Sequence, residues 1–254
     1  MKQEQIMSLE NKVKNEYGNI AGIVVLKNDN VVYESYFNQC SENEPIHVFS
    51  VTKSIISMLL GIALDKGYIK NLDEKVIDFF PNYTIKKREK TIQHITIRNL
   101  LTMTAPYKYK SNPYTKFFSS ADWVTSSLGL LGGSGKIGDF RYAPVIGIDI
   151  LSGILINTTG QSVLEFAQDN LFSPLKISVE KNVYFRNKEE QFDFYKSKGI
   201  NGWVADPNGT NTAGWGLSLT TMDMAKLGLL YLNKGLLYNR QIVSEKWVSE
   251  STQV

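Results

Sequence analysis

Ser50 and Lys53 are the residues of this sequence whose types and spacing are best suited to catalysis. They form the pattern S-x-x-K at the start of a long apolar run. Residues i and i+3 of a helix lie on one face, so the lysine amine can approach the serine hydroxyl. Burial and the helix dipole disfavour the ammonium form, which lowers the lysine pKa and lets the amine act as a base. Because serine needs such a base to become a nucleophile, the pair predicts nucleophilic catalysis. The alternative is a lysine that extends to solvent.

The S-x-x-K pattern needs its context, because composition alone predicts about two matches in a chain of this length. The pattern occurs at Ser50/Lys53, Ser173/Lys176 and Ser178/Lys181. Ser173 is followed by proline at the end of a helical run, and Ser178 lies in a β-like segment where positions i and i+3 point to opposite faces. Only Ser50 begins a buried helix.

Other catalytic designs have weaker support. The chain lacks a G-x-S-x-G motif, and His47 and His94 have no visible serine partner. The segment GSGKIG (residues 133–138) matches G-x-G-x-x-G, but no clear strand precedes it, so we predict a turn. One cysteine, Cys40, and two histidines cannot form a structural zinc cluster. We therefore predict no metal and no cofactor.

Composition and charge indicate a globular chain. The 254 residues are 43% hydrophobic and carry a net charge of +3, and the basic cluster at residues 86–90 contains an acid. This cluster favours a solvated loop over a nucleic-acid contact. The charged N-terminus lacks the apolar core of a signal peptide, and no apolar run reaches the length that crosses a bilayer. We predict a cytoplasmic protein without a membrane span; export stays open if a signal was removed.

The elements that must position Ser50 and Lys53 can be predicted from periodicity. Residues 6–17 have helical spacing, and residues 20–37 form two β-rich runs around the turn KNDN, which predicts a hairpin. Residues 51–64 place apolar side chains on one helical face and are followed by Gly67, so we predict a buried helix of about four turns.

The remainder of the chain is predicted to be mostly helical. Residues 68–175 contain helical segments and irregular loops, and residues 177–187 are β-like. A Gly/Asn-rich loop at residues 199–218 leads to a helix at residues 220–235, and a further helix is predicted around SEKWVSES. A lone hairpin is marginally stable, and few convincing strands follow it, so the sequence predicts a sheet that is incomplete.

Four blocks together carry a family resemblance. They are VFSVTKSIISMLLGIALDKGYI, ITIRNLLTMTAPY, FRYAPVIGIDILSGILINTTGQSVLEFAQDNLFSPLKI and GWGLSLTTMDMAKLGLLYLNKGLLYNRQIVSEKWV. In this order they resemble the serine β-lactamase-related family, which includes class C β-lactamases, penicillin-binding-protein-like carboxylesterases, D-aminopeptidases and 6-aminohexanoate-dimer hydrolases. The resemblance covers about residues 20–248.

This resemblance implies an α/β (α+β) fold of the β-lactamase/transpeptidase type. An antiparallel sheet flanked by helices would lie beside a helical lobe, with the active site in the cleft between them. We expect one domain over residues 1–254, with residues 1–67 and about 176–254 on the sheet side and residues 68–175 in the helical lobe. The sheet is expected to be incomplete at the C-terminus.

The resemblance also implies the roles of three residues. Ser50 would attack a carbonyl to form an acyl-enzyme, and Lys53 would take its proton. The family motif Tyr-x-Asn falls on Tyr142-Ala143-Pro144, so Tyr142 would transfer protons to the leaving group and activate water. Pro144 replaces the asparagine and offers no side-chain hydrogen bond, so we expect a role in orienting the substrate or Lys53 to be lost.

A second departure concerns the third family motif, a Lys-Thr-Gly or His-x-Gly strand. It should lie well beyond Trp247, whereas the sequence stops at Val254. In the family this strand supplies one backbone N–H of the oxyanion hole, and the nucleophile supplies the other; loss of one donor costs about 10²–10³ in rate. We therefore expect a C-terminally truncated chain.

The resemblance predicts a serine hydrolase acting on a small-molecule ester or amide, with an esterase or amidohydrolase favoured over a true β-lactamase. The alternative is a non-catalytic remnant or fragment that keeps the cleft as a binding module. Partner strands could also add to an open sheet edge, which would produce self-association. Trp203 and Trp215 lie near the expected cleft, where packing is favoured over substrate contact.

Overall fold

The computed structural model describes residues 3–111 and 113–253. The helices are Gln3–Glu16 (α1), Val51–Asp65 (α2), Ile97–Leu101 (α3), Tyr114–Phe118 (α4), Trp123–Leu130 (α5), Ile150–Thr159 (α6), Val163–Ala167 (α7), Lys188–Lys196 (α8), Thr221–Leu232 (α9) and Glu245–Ser251 (α10). Two 3₁₀ turns, Val76–Phe79 and Thr91–His94, and a π turn, Gln168–Phe172, complete the helical elements of this part of the chain.

The strands are short and pair two by two. They are Gly22–Lys27 (β1), Asn30–Tyr36 (β2), Ile46–His47 (β3), Lys181–Val183 (β4), Gly202–Val204 (β5), Ser218–Leu219 (β6), Leu236–Leu237 (β7) and Arg240–Gln241 (β8). Pairs β1–β2, β3–β6 and β7–β8 are antiparallel, whereas β4–β5 is parallel. The mixed α/β class is as expected, but within the described residues the strands form separate pairs rather than one antiparallel sheet.

The N-terminal hairpin forms as predicted. Asn28 and Asp29 form the loop between Lys27 and Asn30, and both have positive φ, at 50° and 62°. Two such residues in a two-residue loop give a turn whose twist matches that of the flanking strands. A register shift follows Val25, where one strand has an extra residue. Helix α9 packs against β1.

Helix α2 lies at the centre of the main hydrophobic core. Ile55, Met58, Leu59 and Ile62 are buried on the predicted face, whereas Val51, in the first turn, is exposed. The helix contacts α6, α10 and the π turn. Burial of apolar surface on most sides of α2 stabilises it and holds its first turn in one place, which matters because Ser50 directly precedes that turn.

The structure differs from the expected loop at residues 199–218. Strand β5 lies within this segment and β6 begins at its last residue. Helix α8 precedes the segment and was not predicted. Gly and Asn are depleted in strands in general, so propensity indicated a loop. Tertiary packing overrides this preference, since all three residues of β5 are buried and Trp203 is fully buried in the core. The side chain of Asn187 caps α8 by accepting from the Glu190 N–H.

Two further findings concern membrane spans and metal ions. Among the described helices, none is both long and apolar enough to cross a membrane. Within residues 3–111 and 113–253, His, Cys, Asp and Glu side chains form no group of three or more that could hold a metal ion. Residues 133–138 form an irregular turn, with Gly133 and Gly138 at positive φ.

Candidate active site

The position of Ser50 is set by a short strand and a tight turn. Strand β3 pairs with β6, and the Val48 N–H donates to Leu217 O at 2.9 Å. Phe49 then adopts a φ of 46°, which is rare for a bulky side chain and typical of strained functional turns. Ser50 occupies the N-cap position of α2, but its side chain makes no capping hydrogen bond. Its hydroxyl is therefore available to groups in the cleft.

The amine of Lys53 contacts three oxygen atoms. Its Nζ lies 3.1 Å from Ser50 Oγ, 2.8 Å from Pro144 O and 2.7 Å from Gly214 O. A neutral amine has two N–H donors and one lone pair. If the two hydrogens go to the two carbonyls, the lone pair faces the Ser50 hydroxyl, which is the arrangement that a base needs to accept the serine proton.

Tyr142 completes the cluster and comes from a distant part of the chain. Its hydroxyl lies 3.4 Å from Ser50 Oγ, and Lys53 Nζ lies 5.6 Å from the centroid of its ring. The residue is 53% exposed, so it lies at the rim of the cluster and is accessible to a ligand. The structure thus brings together the three residues that were predicted from the sequence, although Tyr142 is 92 positions from Ser50.

Burial dominates the electrostatics of Lys53. Loss of solvation lowers the pKa of its amine below the ordinary value, because the charged form loses most when water is removed. The negative charges available to Tyr142 and Asp149 act in the opposite direction and raise this pKa. The neutral amine of Lys53 is therefore more populated than that of an exposed lysine. Tyr142 and Asp149 favour the ammonium form once the amine takes up a proton.

The expected loss of a side-chain role at Pro144 stays a prediction, and the structure adds a main-chain contact. We expected that replacing asparagine by Pro144 would remove a group that orients Lys53. The backbone carbonyl of Pro144 instead accepts a hydrogen bond from Lys53 at 2.8 Å. A main-chain acceptor does not depend on the side chain, so proline retains it although it lacks an amide.

The sequence did not identify Gly214 and Asp149 as parts of this site. Gly214 contributes only a carbonyl, which no side-chain motif reveals. Asp149 is 1% exposed, and its Oδ1 accepts from the Ala213 N–H at 2.8 Å. The one available signal was a single acid in the apolar run VIGIDILSGILI, because a carboxylate is almost never fully buried without a specific reason.

An aromatic cluster adjoins Ser50. It consists of His47, Phe49, Phe194, Tyr195 and Trp215. The Nε2 atom of His47 accepts from the Gly216 N–H at 3.0 Å, and burial lowers the pKa of its imidazole to about 4. Trp215 is 4% exposed, so its ring packs in the cluster as favoured from the sequence. Phe49 is 55% exposed and presents an apolar surface beside the serine.

Comparison with known proteins decides the family. The family model described as Beta-lactamase matches residues 11–253. The chain belongs to the β-lactamase family. It is 27% identical over 233 residues to an uncharacterized protein of Alkalihalophilus pseudofirmus, covering 88% of this chain and 61% of that protein. It is 22% identical over 237 residues to the 6-aminohexanoate-dimer hydrolase of Paenarthrobacter ureafaciens, covering 89% of this chain and 55% of that enzyme.

Solved structures support the same fold. A penicillin-binding protein homolog from Caulobacter crescentus superposes with a TM-score of 0.72 at 16% identity, covering 98% of this chain and 74% of that one. At this identity the match establishes the fold alone, and it confirms the expected β-lactamase/transpeptidase-like class. The chain of this β-lactamase family member spans 55–61% of the length of the two curated relatives.

Proposed function

We propose that this β-lactamase family chain is a serine hydrolase that cleaves a small ester or amide through an acyl-enzyme on Ser50. The observation that carries the proposal is the placement of Lys53 Nζ 3.1 Å from Ser50 Oγ, with two carbonyls in position to take its hydrogens. This geometry leaves the amine lone pair for the serine proton.

In the acylation step, Ser50 Oγ attacks the substrate carbonyl carbon while its proton moves to Lys53 Nζ. The carbonyl π electrons move to oxygen, and we assign the Ser50 backbone N–H as one donor to that oxyanion. When the intermediate collapses, the bond to the leaving group breaks. The leaving group takes a proton from the Tyr142 hydroxyl, which regains one from the Lys53 ammonium, and an ester of Ser50 remains.

Deacylation runs the same proton path with water as the nucleophile. Water attacks the acyl carbon, and its proton passes to the Tyr142 oxygen as the Tyr142 proton passes to Lys53 Nζ. When the intermediate collapses, the bond between the acyl carbon and Ser50 Oγ breaks, Ser50 Oγ takes the proton from the Lys53 ammonium, and the carboxylic acid is released. Tyr142 suits this role because its hydroxyl reaches Ser50 and its ring is accessible from solvent. Proton transfer by a positioned group of this kind contributes about 10²–10⁴ in rate.

Two features favour an esterase or amidohydrolase over a true β-lactamase. Pro144 stands where the family motif has asparagine, so no side-chain amide is present there to bind an amide or lactam group. One relative bears the name 6-aminohexanoate-dimer hydrolase. The exposed rings of Phe49 and Tyr142 next to Ser50 favour a substrate with apolar groups beside the scissile carbonyl.

The experiment that tests the proposal is labelling with a fluorophosphonate probe, followed by intact-mass measurement. We expect one adduct on the unmodified chain, none on Ser50→Ala, and an unchanged adduct on Ser54→Ala. Ser54 is the matched control because it is exposed in the same turn of α2. Absence of an adduct from a folded sample would overturn the hydrolase proposal and favour the binding module.

A further inference from the structure

The carboxylate of Asp149 is an unusual buried group. The residue is 1% exposed, its Oδ1 accepts from the Ala213 N–H at 2.8 Å, and its buried Oδ2 has no hydrogen-bond partner among the described residues. Asp149 occupies the N-cap position of α6, yet its side chain does not cap that helix. Burial of an incompletely paired carboxylate is costly, so helix capping does not explain why an acid is present here.

Asp149 connects the two segments that hold Lys53. One segment carries Pro144 O, five residues before Asp149, and the other carries Gly214 O, one residue after Ala213. These segments touch directly, because a Cβ added to Gly214 would lie 3.1 Å from Pro144 O and 2.9 Å from Ile148 Cγ2. The hydrogen bond from the Ala213 N–H to Asp149 Oδ1 therefore joins the two segments that carry these carbonyls.

The charged groups that face this carboxylate are few. Lys53 attracts it, Asp206 repels it, and Tyr107 is close enough to be affected by it. Asp206 is itself buried but accepts three backbone N–H groups, from Trp123, Asn208 and Thr210. Asp149 accepts one backbone N–H, from Ala213, and Lys53 is the cation that interacts with its negative charge.

We propose that Asp149 is a positioning residue that holds the Ala213–Gly214 segment against the Pro144 segment and stabilises the Lys53 ammonium formed when Ser50 loses its proton. The inference rests on the proposed function of Ser50 and Lys53. It assigns no contact with the substrate: Asp149 acts through the two carbonyls and through charge. The energetic cost of burying the carboxylate is then offset by the precise placement of the catalytic amine.

Burial and charge predict how this role depends on pH. Burial raises the pKa of Asp149 to about 7, so the carboxylate is increasingly ionised above neutral pH. This charge raises the pKa of Lys53, against the lowering by burial. Tyr142 also faces Lys53 and acts in the same direction. Replacing Asp149 by a neutral residue must therefore shift the titration of Lys53 to lower pH.

The test compares Asp149→Asn, Asp149→Ala and the control Asp223→Asn. Asp223 is also a buried acid, but it bonds to Thr220 in its own helix cap and to Lys226. The rate constant for fluorophosphonate labelling and the pKa of Lys53, followed by NMR of ¹³Cε-lysine with Lys53→Arg for assignment, are measured from pH 6 to 10 (roughly the range set by ordinary lysine titration).

We expect Asp149→Ala to label at least about tenfold more slowly, because a small displacement of a catalytic group is costly. Asp149→Asn keeps an acceptor for the Ala213 N–H, so it should lose less, and its labelling profile and Lys53 pKa should both move to lower pH. Asp223→Asn should match the unmodified chain. A shift of the labelling profile of Asp149→Asn to lower pH would not be expected from a purely structural role.

Two results would overturn the inference. One is an Asp149→Ala chain with the unmodified rate and profile; the other is an Asp149→Asn chain whose Lys53 pKa is unchanged. The NMR measurement does not require a reactive serine. An unmodified chain that titrates as expected but takes no label would contradict the proposed hydrolase function while leaving the placement of Asp149 supported.

Discussion

At the scale of the residue, the protonation state of Lys53 decides whether Ser50 can react. The amine is buried enough for its pKa to fall, yet it retains three polar contacts. An exposed lysine would be an ammonium at neutral pH and could not accept a proton. A buried lysine without acceptors would be difficult to stabilise once charged. The carbonyls of Pro144 and Gly214 accept hydrogen bonds from the amine, so the buried lysine can also be stabilised in its charged form.

Replacement of Lys53 by methionine tests this account. Lys53→Met keeps most of the side-chain volume and removes the amine, so we expect fluorophosphonate labelling of Ser50 to fall by about 10²-fold or more. The control is Lys66→Met, at the exposed end of the same helix. Equal labelling of Lys53→Met and the unmodified chain, both folded by circular dichroism, would show that the amine is not the base.

At the scale of the element, α2 must be held rigidly for its first turn to be useful. Gly61 lies in the middle of α2, where a Cβ would overlap the indole ring of Trp247 in α10. The two helices therefore approach more closely than any larger residue would allow. Trp247 is 5% exposed, so this contact between α2 and α10 is part of the buried core. Glycine is retained here for space, although it weakens helices elsewhere.

The pair Gly61→Ala and Gly228→Ala separates space from propensity. Gly61→Ala should lower the free energy of unfolding by about 1–3 kcal/mol, because the added methyl group clashes with Trp247. Gly228 lies in α9 with nothing within 4 Å of an added Cβ, so Gly228→Ala should raise stability by about 0.5–1 kcal/mol. Urea denaturation measures both. A stabilised Gly61→Ala chain would contradict the close packing of α2 and α10.

At the scale of the whole molecule, two buried groups make stability depend on pH in opposite directions. Burial raises the pKa of Asp149 from 3.8 to about 7, so its favourable contribution is complete at low pH and is lost as pH rises through 7. Burial lowers the pKa of His47 from 6.5 to about 4, so the folded state loses stability as pH falls through this range. Between pH 4 and 6.5 the two effects partly cancel.

Asp149→Asn should expose the contribution of the histidine. Relative to the unmodified chain, the variant should gain about 2–3 kcal/mol in free energy of unfolding between pH 5 and pH 8, because it lacks an acid that must ionise in the core. Urea midpoints at both pH values measure the change. A stability difference that is the same at the two pH values would show that folding does not raise the pKa of Asp149.

The local structure and the reactive pair at the start of α2 could be predicted from residue types that are close in the chain. The hairpin turn, the apolar face of α2 and the later α9 follow from residue types within a few positions of each other. The same short range explains why Ser50 and Lys53 could be recognised as a pair, since helix geometry alone brings i and i+3 together. Tyr142 was reached only through the resemblance of whole blocks to a family.

The groups that surround Lys53 come together only through contacts between distant segments of the chain. Its carbonyl partners lie 91 and 161 positions away from Lys53 in the chain and belong to the backbone, which has the same chemistry at every residue. For this reason neither the contact of Gly214 nor the main-chain contact of Pro144 could be predicted from residue types. Strands β5 and β6 were missed because Gly/Asn propensity indicates a loop, whereas pairing between distant segments makes them strands. Asp149 combines both limits: a lone acid in an apolar run was visible, but only the fold shows that it points to Ala213.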